Sequence, residues 1–286
     1  MTTQTLPVIC SDWWTIASSP DLGPLNGLEQ QPMDFSIWQA ADRSWQLGAC
    51  VRKTASDGHG RLLYRWQAAL LTDIDWKPAG ILLEADTAFG EASGGLQSPY
   101  IIRHAQQYLM YYGGWSNICL AIGTDGKTFA RRLNSSGESN LFPDATNSLL
   151  RDPMVTTFSG RHYLYYTRVH ENRGAICARS STDLLNWSEA HVVSRGGSGG
   201  NGPADAECAF VFQQGYHLLL FRWDERGITS IYRSDNPLDF GIDNDRLKVG
   251  ELPYEVVRII QDGQDFYITS LHEDLSGIRL ARITWE

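Results

Sequence analysis

The sequence is poor in cysteine, and nothing in it suggests that the cysteines are paired. Five occur among 286 residues, at Cys10, Cys50, Cys119, Cys177 and Cys208. The number is odd, the positions are scattered, and no two form a CxxC motif. This pattern excludes a disulfide framework and a cysteine-based zinc site. We therefore expect no metal bound by these residues and free, mostly buried thiols of the kind found in a reducing compartment.

Excess positive charge and long apolar runs are also missing. The formal net charge is −9 and no run of Lys and Arg occurs, which argues against nucleic acid or an anionic membrane as partner because phosphates would be repelled. The N-terminus shows no basic start followed by an apolar stretch, and no apolar run has the length of a membrane span. We expect a cytoplasmic protein from the chain as given, or an exported one if a leader precedes it.

Aromatic residues, by contrast, are abundant. They make up 11% of the sequence, with 10 Trp and 12 Tyr, which favours strands and aromatic-lined clefts over helical bundles. A chain of 286 residues is long for one ordinary domain, but all-β barrels and propellers of this size form single units. The composition therefore predicts an all-β protein.

Five segments repeat one pattern: a polar or proline-marked entry, an apolar strand, a turn rich in Gly, Asp, Gln or Ser, and a second apolar strand. They begin at Met33, Gln97, Arg151, Ala206 and Tyr254. Each predicts a β-hairpin. Equivalent entry positions then recur every 48 to 64 residues, at Asp34, Ser98, Asp152, Glu207 and Glu255. A period near 50 residues is typical of a propeller or a solenoid.

Two further strands are predicted in each repeat. The third is visible in stretches such as "RLLYRW" and "AICARSS", and the fourth in the aromatic-bearing stretches "DIDWKPAG", "DGKTFARR", "DLLNWSEAHVV" and "NPLDFGI". We therefore predict a five-bladed β-propeller of four-stranded antiparallel blades, forming one domain over residues 1–286. Because the last repeat ends after its third strand, we expect "CSDWWTIASS" at 10–19 to close the ring.

In such a fold the first strand of every blade starts at one end of the central channel, and the second strand returns to that end. The entry acids Asp34, Asp152 and Glu207 should therefore converge there, with strand ends adding Arg52, Trp115, Arg168, Trp223 and His272. The loop "SRGGSGGNGP" at 194–203 is predicted to be flexible and to border a pocket. Glu91, in another loop, is predicted to be a solvated acid.

The repeat pattern resembles the five-bladed propeller glycosidases, namely the arabinanase and xylosidase group (glycoside hydrolase family 43) and the invertase and levansucrase group (families 32 and 68). The likeness covers nearly the whole chain and is sharpest at "RDP", residues 151–153, and "EC", residues 207–208. The resemblance implies a catalytic domain that cleaves a terminal, furanosyl or related sugar from a glycoside or oligosaccharide in polysaccharide degradation. It assigns Asp34 as base or nucleophile, Asp152 as transition-state stabiliser and Glu207 as acid.

A group of acids is also what the reaction requires, because glycoside cleavage needs one protonated and one ionised carboxyl group in different environments. The apolar sequence neighbours of Glu207 should raise its pKa, whereas Arg151 should favour Asp152 as an anion. Further substrate contacts are predicted for residues at the channel mouth, listed as Arg151, Trp38, Trp115, Arg168, Trp223 and His272. Core or inter-blade packing is the alternative for Trp115 and Trp223, and a blade-five hydrogen bond is the alternative for His272.

Several alternatives stay open at this point. A non-catalytic carbohydrate-binding propeller would have the same fold, since fold alone does not establish activity. The chemistry can retain or invert the anomeric configuration, depending on the separation of the Asp34 and Glu207 carboxyl groups. No cofactor is required, with a structural calcium ion in the channel as the alternative, and the sequence leaves the sugar, the linkage and the oligomeric state undetermined.

Overall fold

Strands account for nearly all the regular structure of the protein. The computed structural model describes residues 6–145 and 148–286. Within these ranges, helical structure is limited to three short 3-10 turns, Gly23–Leu25, Thr87–Phe89 and Gly197–Gly199, and no helix is long and apolar enough to cross a membrane.

The strands form five antiparallel sheets. The chain begins with β1 (Pro7–Ile9) and β2 (Trp14–Ser18). Blade one comprises β3 (Gln31–Gln39), β4 (Trp45–Arg52), β5 (Leu62–Ala68) and β6 (Lys77–Leu83), and blade two comprises β7 (Gln97–His104), β8 (Gln107–Gly113), β9 (Ile118–Gly123) and β10 (Ala130–Arg131). Blade three comprises β11 (Leu149–Phe158), β12 (Arg161–His170), β13 (Arg173–Ser181) and β14 (His191–Ser194). Blade four comprises β15 (Glu207–Gln214), β16 (His217–Asp224), β17 (Ile228–Ser234) and β18 (Lys248–Leu252), and β19 (Ile259–Asp262), β20 (Asp265–Leu271) and β21 (Gly277–Trp285) belong to blade five.

The predicted fold class is confirmed: consecutive strands pair in chain order within each blade, as in a five-bladed β-propeller. The N-terminal closure is also as predicted, because β2 pairs antiparallel with β21 from Trp14 opposite Leu280 to Ser18 opposite Gly277, and β1 joins the same sheet. One edge differs from expectation. The fourth strand of blade four is β18, whereas "NPLDFGI" at 236–242 lies in the loop before it.

The strands are grouped into two compact units. One contains blades three and four, in residues 6–8, 148–257 and 285–286, and the other contains blades one, two and five, in residues 9–145 and 258–284. The expectation of one catalytic domain over 1–286 stays a prediction. In the second unit, a buried cluster joins aromatic, aliphatic and sulfur-containing side chains of blades one and two, among them Trp38, Cys50, Ile101, Tyr108 and Met110.

Every blade begins with a residue in the left-handed backbone region. In four blades this residue lies in a β-bulge that interrupts the pairing of the first and second strands. The five residues, with φ between 46° and 56°, are Asp34, Ser98, Asp152, Cys208 and Val256. Positive φ is costly for side chains with a Cβ, so its recurrence marks a constraint of the blade itself. A bulge bends the strand and redirects the side chain that it carries.

This register corrects the predicted equivalence of the entry positions. Glu207 is the last paired residue before its bulge, opposite Trp223, just as Arg151 is opposite Thr167. Cys208 therefore occupies in blade four the position that Asp152 occupies in blade three. Similarly, Val256 rather than Glu255 has the left-handed conformation in blade five. Sequence spacing alone could not resolve a shift of one residue.

Backbone strain in a hairpin turn leads to a stability prediction. Ala105 is exposed at the first position of the two-residue turn between β7 and β8 and has a φ of 53°, whereas Gly215 and Gly263 occupy that position in the turns of blades four and five. We expect Ala105→Gly to raise the free energy of unfolding by about 0.5 to 1 kcal/mol, because relief of left-handed strain exceeds the added chain entropy. Urea denaturation measures the difference.

The neighbouring residue supplies a matched control for this change. Gln106 is exposed in the same turn and is not among the residues with positive φ. Gln106→Gly should lower the free energy of unfolding, because it adds chain entropy without relieving strain. Equal effects of the two substitutions would contradict the strain assigned to Ala105.

Thiol accessibility provides a second prediction. All five cysteines are free, with Cys10 exposed and the other four buried. Burial raises the pKa of Cys50 and of Cys119 to about 12 and that of Cys177 to about 11. At pH 8 a disulfide reagent such as Ellman's should react rapidly with one thiol per folded chain and with five after unfolding. Cys10→Ser should abolish the rapid phase, and a rapid phase that persists would contradict the placement of Cys10.

Candidate active site

The compact unit of blades three and four contains a cluster of charged side chains at the start of its two inner strands. Arg151 and Asp152 enter at the bulge of β11, and Glu207 and Cys208 at the bulge of β15. The side chain of Asp152 is 2% exposed and that of Glu207 is 14% exposed, so two carboxyl groups lie close to one guanidinium group in different degrees of contact with water. The two carboxyl groups therefore have different environments although they share one cationic neighbour.

Asp152 is held firmly in place. Its Oδ2 accepts a hydrogen bond from Thr167 Oγ1 at 2.7 Å and another from the Cys208 backbone N–H at 3.3 Å. Arg151 Nε lies 3.8 Å from the same oxygen. A buried carboxylate needs such donors and a positive neighbour. The expected association of Asp152 with Arg151 is thus present, and the anion is fixed on a rigid strand.

Arg151 links the two acids. Its guanidinium donates to Glu207 Oε1 as well as lying near Asp152. Burial lowers the pKa of Arg151, but the carboxylates of Asp152 and Glu207 outweigh that effect, so its pKa lies above the ordinary value. Arg151 therefore stays charged throughout the pH range in which proteins are folded.

The surroundings of Glu207 differ from those expected of it. Its sequence neighbours Ala206, Cys208 and Ala209 are buried and apolar, as the sequence indicated. The partner that decides its electrostatics is nevertheless Arg151, which lies 56 positions away in the sequence. A guanidinium group favours the ionised form of a carboxyl group, whereas apolar burial favours the protonated form. The prediction from sequence neighbours missed this contact because the contact is tertiary.

Two other predicted contact residues lie in this unit. Trp223 is half-buried and is paired across the strands with Glu207. Its indole Nε1 is buried and has no hydrogen-bond partner among the described residues. Arg168 follows Thr167 on β12 and donates from Nε to Ser148 Oγ at 3.1 Å. Trp223 thus lies next to the proposed acid, while Arg168 is engaged with the residue that precedes β11.

The glycine-rich loop is tied to a buried arginine, contrary to its predicted flexibility. Arg222, 1% exposed, donates to Ser194 Oγ at 2.9 Å and to the carbonyl oxygen of Gly196 at 2.8 Å. A Cβ at Gly199 would lie 2.5 Å from Arg222 Nη2, and one at Gly200 would lie 2.2 Å from Asp205 Oδ2. These glycines therefore allow close packing against charged side chains, which composition alone does not distinguish from flexibility.

The remaining predicted residues lie in the unit of blades one, two and five. Asp34 is buried on the bulge of β3. Burial raises the pKa of the Cys50 thiol to about 12, and both the Arg61 guanidinium and the Asp34 carboxylate lie close enough to act on it. Asp34 and Arg61 are therefore neighbours of one buried thiol.

Trp38 and His272 have structural partners in this unit. Trp38 is buried in the cluster between blades one and two and donates from Nε1 to the carbonyl oxygen of Gly126 at 2.8 Å. His272 Nε2 lies 3.0 Å from Thr15 Oγ1, between blade five and the N-terminal strand. The contact of His272 matches the alternative of a blade-five hydrogen bond, whereas the core position of Trp38 differs from its predicted place at the channel mouth.

Trp115 is half-buried in the turn after β8 and has a φ of 83°. The imidazole of His59 is stacked on its indole ring, with centroids 3.7 Å apart, and Arg61 lies 5.2 Å from the same ring centroid. Trp115 is thus part of an accessible aromatic group rather than of the core.

Glu91 is not the solvated acid that was predicted. It is 3% exposed and binds Arg131, with Nη2 to Oε2 at 2.8 Å, and it accepts from the Tyr112 hydroxyl at 2.6 Å and from Ser139 Oγ at 3.1 Å. These bonds fix the loop before β7 against blade two. The sequence missed the role because Arg131 lies 40 residues further along the chain.

Sequence reasoning also missed four residues that shape these sites: Thr167, His59, Arg61 and Arg222. Thr167 orients Asp152, and His59 and Arg61 surround Trp115. A threonine inside a strand carries no signal of such a role. Arg222 was detectable in principle, because a charged residue within the apolar run "LLLFRW" calls for buried partners.

Comparison with solved structures agrees with this architecture. No protein-family model matches the sequence, and no curated protein sequence matches it. A thermostable family 43 glycoside hydrolase aligns over 95% of this chain and 92% of its own, at 15% identity and a TM-score of 0.67. The chain has the fold of the five-bladed propeller glycosidases.

Two further structures with this fold belong to enzymes of known activity or contain a bound sugar. A family 43 enzyme of Xanthomonas citri in complex with xylose aligns over 91% of this chain and 89% of its own, at 15% identity and a TM-score of 0.65. A family 32 β-fructofuranosidase of Bombyx mori aligns over 94% of this chain at 18% identity and a TM-score of 0.67. This chain spans 64% of the length of that fructofuranosidase. At identities this low, the structural match establishes the fold alone. The roles of the site residues have to be judged from their own geometry.

The hydrogen bond between Thr167 and Asp152 leads to a prediction. Thr167→Val keeps the shape but removes a donor from a buried carboxylate and an acceptor from the Cys208 N–H, which lies 3.2 Å from Thr167 Oγ1. We expect the free energy of unfolding to fall by about 1 to 3 kcal/mol. Thr167→Ser retains the hydroxyl group and should cost only about 1 kcal/mol for the lost methyl group. Denaturant unfolding compares them, and an equal or smaller loss in the valine variant would contradict the role of the hydroxyl.

Proposed function

We propose that the protein is a glycoside hydrolase that cleaves a terminal glycosyl residue, furanosyl or related, from a glycoside or oligosaccharide. The observation that carries this proposal is the cluster of Arg151, Asp152 and Glu207, in which one guanidinium group is shared by a buried carboxylate and a more accessible one. The fold, common to family 43 and family 32 enzymes, supports the same reaction class.

Asp152 is proposed to stabilise the transition state. Its carboxylate is fixed by Thr167 and by the Cys208 amide, so no reorganisation is needed when positive charge develops on the sugar ring. An immobile acceptor can also strengthen its hydrogen bond to a sugar hydroxyl as that charge grows.

Glu207 is proposed to act as the general acid and Asp34 as the base or nucleophile. Glu207 is the more exposed of the two acids that contact Arg151, which suits a group that exchanges protons. Its bond with Arg151 has to loosen for Glu207 to carry a proton, because a guanidinium group favours the carboxylate. Sugar hydroxyls that accept hydrogen bonds from Arg151 would have this effect, which gives Arg151 a part in coupling substrate binding to protonation.

The same ion pair favours a second candidate, a carbohydrate-binding propeller without catalytic activity. If Arg151 holds Glu207 ionised when sugar is bound, no proton is available for the leaving group. The two candidates differ in whether any glycoside is hydrolysed, and in whether the loss of Glu207 matters more for poor leaving groups than for good ones.

The test is hydrolysis of 4-nitrophenyl α-L-arabinofuranoside, 4-nitrophenyl β-D-xyloside and sucrose. For a substrate that is cleaved, Glu207→Gln should lower kcat/KM by about 10²- to 10⁴-fold, the usual contribution of a general acid. The loss should shrink markedly with a 2,4-dinitrophenyl leaving group, which departs without a proton, whereas Asp34→Asn and Asp152→Asn should impair both substrates alike. Undiminished activity of Glu207→Gln would refute its assignment.

A matched control and a structural measurement complete this test. Glu189 is an exposed glutamate of the same compact unit, and Glu189→Gln should leave kcat/KM unchanged. In a crystal structure with bound sugar, a separation of about 5 Å between the Asp34 and Glu207 carboxyl groups would indicate retention, and one above about 6.5 Å inversion. Proton NMR of the first-formed product checks the stereochemistry independently.

A further inference from the structure

The turn that carries Trp115 is an unusual place for a large aromatic residue. A φ of 83° costs a tryptophan roughly 1 to 2 kcal/mol relative to glycine. Trp115 is nevertheless held there, because its carbonyl oxygen accepts from Gln97 Nε2 at 3.4 Å and the Gly114 N–H bonds the carbonyl oxygen of Asn117 at 2.9 Å. Burial does not account for the residue, since the side chain is only half-buried. The backbone of the turn is therefore held in place, and the ring that it carries is partly accessible.

His59 lies over this ring and is itself exposed. The two rings are nearly parallel, with an interplanar angle of 12° and centroids 3.7 Å apart. The histidine backbone is docked on a neighbouring loop: its N–H bonds the carbonyl oxygen of Ser93 at 3.0 Å, and a Cβ at Gly58 would lie 2.1 Å from that oxygen. The backbone under His59 is thus fixed, and its side chain is exposed to solvent on the side away from Trp115 as well as stacked on the indole.

Polar groups border the same ring. Arg61 lies 5.2 Å from the Trp115 ring centroid and donates from Nη1 to Gln97 Oε1 at 3.0 Å. Arg61 also acts on the buried thiol of Cys50, as does Asp34. The aromatic group therefore belongs to the surroundings of the proposed base or nucleophile within this compact unit, and it combines a flat apolar face with fixed hydrogen-bonding groups.

We propose that Trp115 is the platform of a sugar-binding subsite, bordered by Arg61 and Gln97 and covered by His59, and that a neutral sugar ring of the substrate replaces the imidazole on the indole face. A sugar presents an apolar C–H face and a rim of hydroxyl groups, which match an indole plane bordered by a guanidinium and an amide. We take the ligand to be neutral because the net charge of −9 disfavours an anion and Arg61, 5.2 Å from the ring centroid, disfavours a cation. The sugar recognised is a further unit of the oligosaccharide, so this inference rests on the proposed function.

Displacement of the cover has a measurable consequence. A sugar that binds must give up the stack between His59 and Trp115, which is comparable to one aromatic pair. Removal of the imidazole should therefore tighten binding, and removal of the indole should weaken it. If His59 instead contacted the sugar directly, removal of its imidazole would weaken binding.

The experiment is isothermal titration calorimetry with xylotriose and with α-1,5-linked arabinotriose, in the Glu207→Gln background to prevent turnover. We expect His59→Ala to lower the Kd of at least one trisaccharide by about three- to tenfold, and Trp115→Gly to raise it by about tenfold or more. Glycine tolerates the left-handed conformation, so Trp115→Gly should keep the turn; urea denaturation checks that the variant is folded, and its loss of affinity then reports on the ring itself. His191→Ala, an exposed histidine in the other compact unit, should leave Kd unchanged.

Each outcome decides the proposal. Weaker or unchanged binding in His59→Ala overturns the displaceable cover, unchanged binding in Trp115→Gly overturns the platform, and the absence of a binding signal in both the background variant and His59→Ala overturns the subsite. Failure of the proposed function gives a different result. The wild type then hydrolyses no substrate, while the trisaccharide still binds and its Kd still depends on His59. Hydrolysis by the wild type with a Kd that is insensitive to both substitutions is failure of the subsite alone.

Discussion

The left-handed residue at the start of each blade is the constraint on which this structure depends. Five residues with a Cβ adopt it, one in each repeat, at a cost of roughly 1 to 2 kcal/mol each. In four blades a bulge at this point bends the inner strand and changes the register of the side chains around it. The conformation recurs at Val256, which has no catalytic chemistry, as well as at Asp34 and Asp152, so it is a property of the blade. The side chains of the candidate site are therefore oriented by bulges that belong to the fold.

Once the bulges have placed charged residues at strand entries, burial requires partners for them. Arg151 is the positively charged partner of both Asp152 and Glu207, and Thr167 donates a further hydrogen bond to Asp152. The same rule explains Arg131 beside Glu91 and Arg222 beneath the glycine-rich loop. In each case a buried charge that would be costly alone is paired with a partner, so these loops are positioned by electrostatics as much as by apolar packing.

The site could be predicted in part because repetition is visible in sequence. The period located all five hairpins and placed Asp34, Asp152 and Glu207 at or next to strand entries. The one-residue offset between Glu207 and the left-handed Cys208 could not be predicted, because a bulge leaves no mark in hydrophobic periodicity. Strand β18 was missed for a related reason: "NPLDFGI" has aromatic and apolar residues of strand type, but the chain pairs only later, at Lys248–Leu252.

Local alternation and its period were enough to predict the fold class, the number of blades and the closing N-terminal strand. Only the folded chain shows which side chains contact one another: Arg151 donates to Glu207, Trp38 is in the core, and His59 covers Trp115. The difference arises from the range of the interactions. Strand pairing depends on patterns within a few residues, whereas the charge state and accessibility of a side chain depend on neighbours that are tens of residues away in the chain.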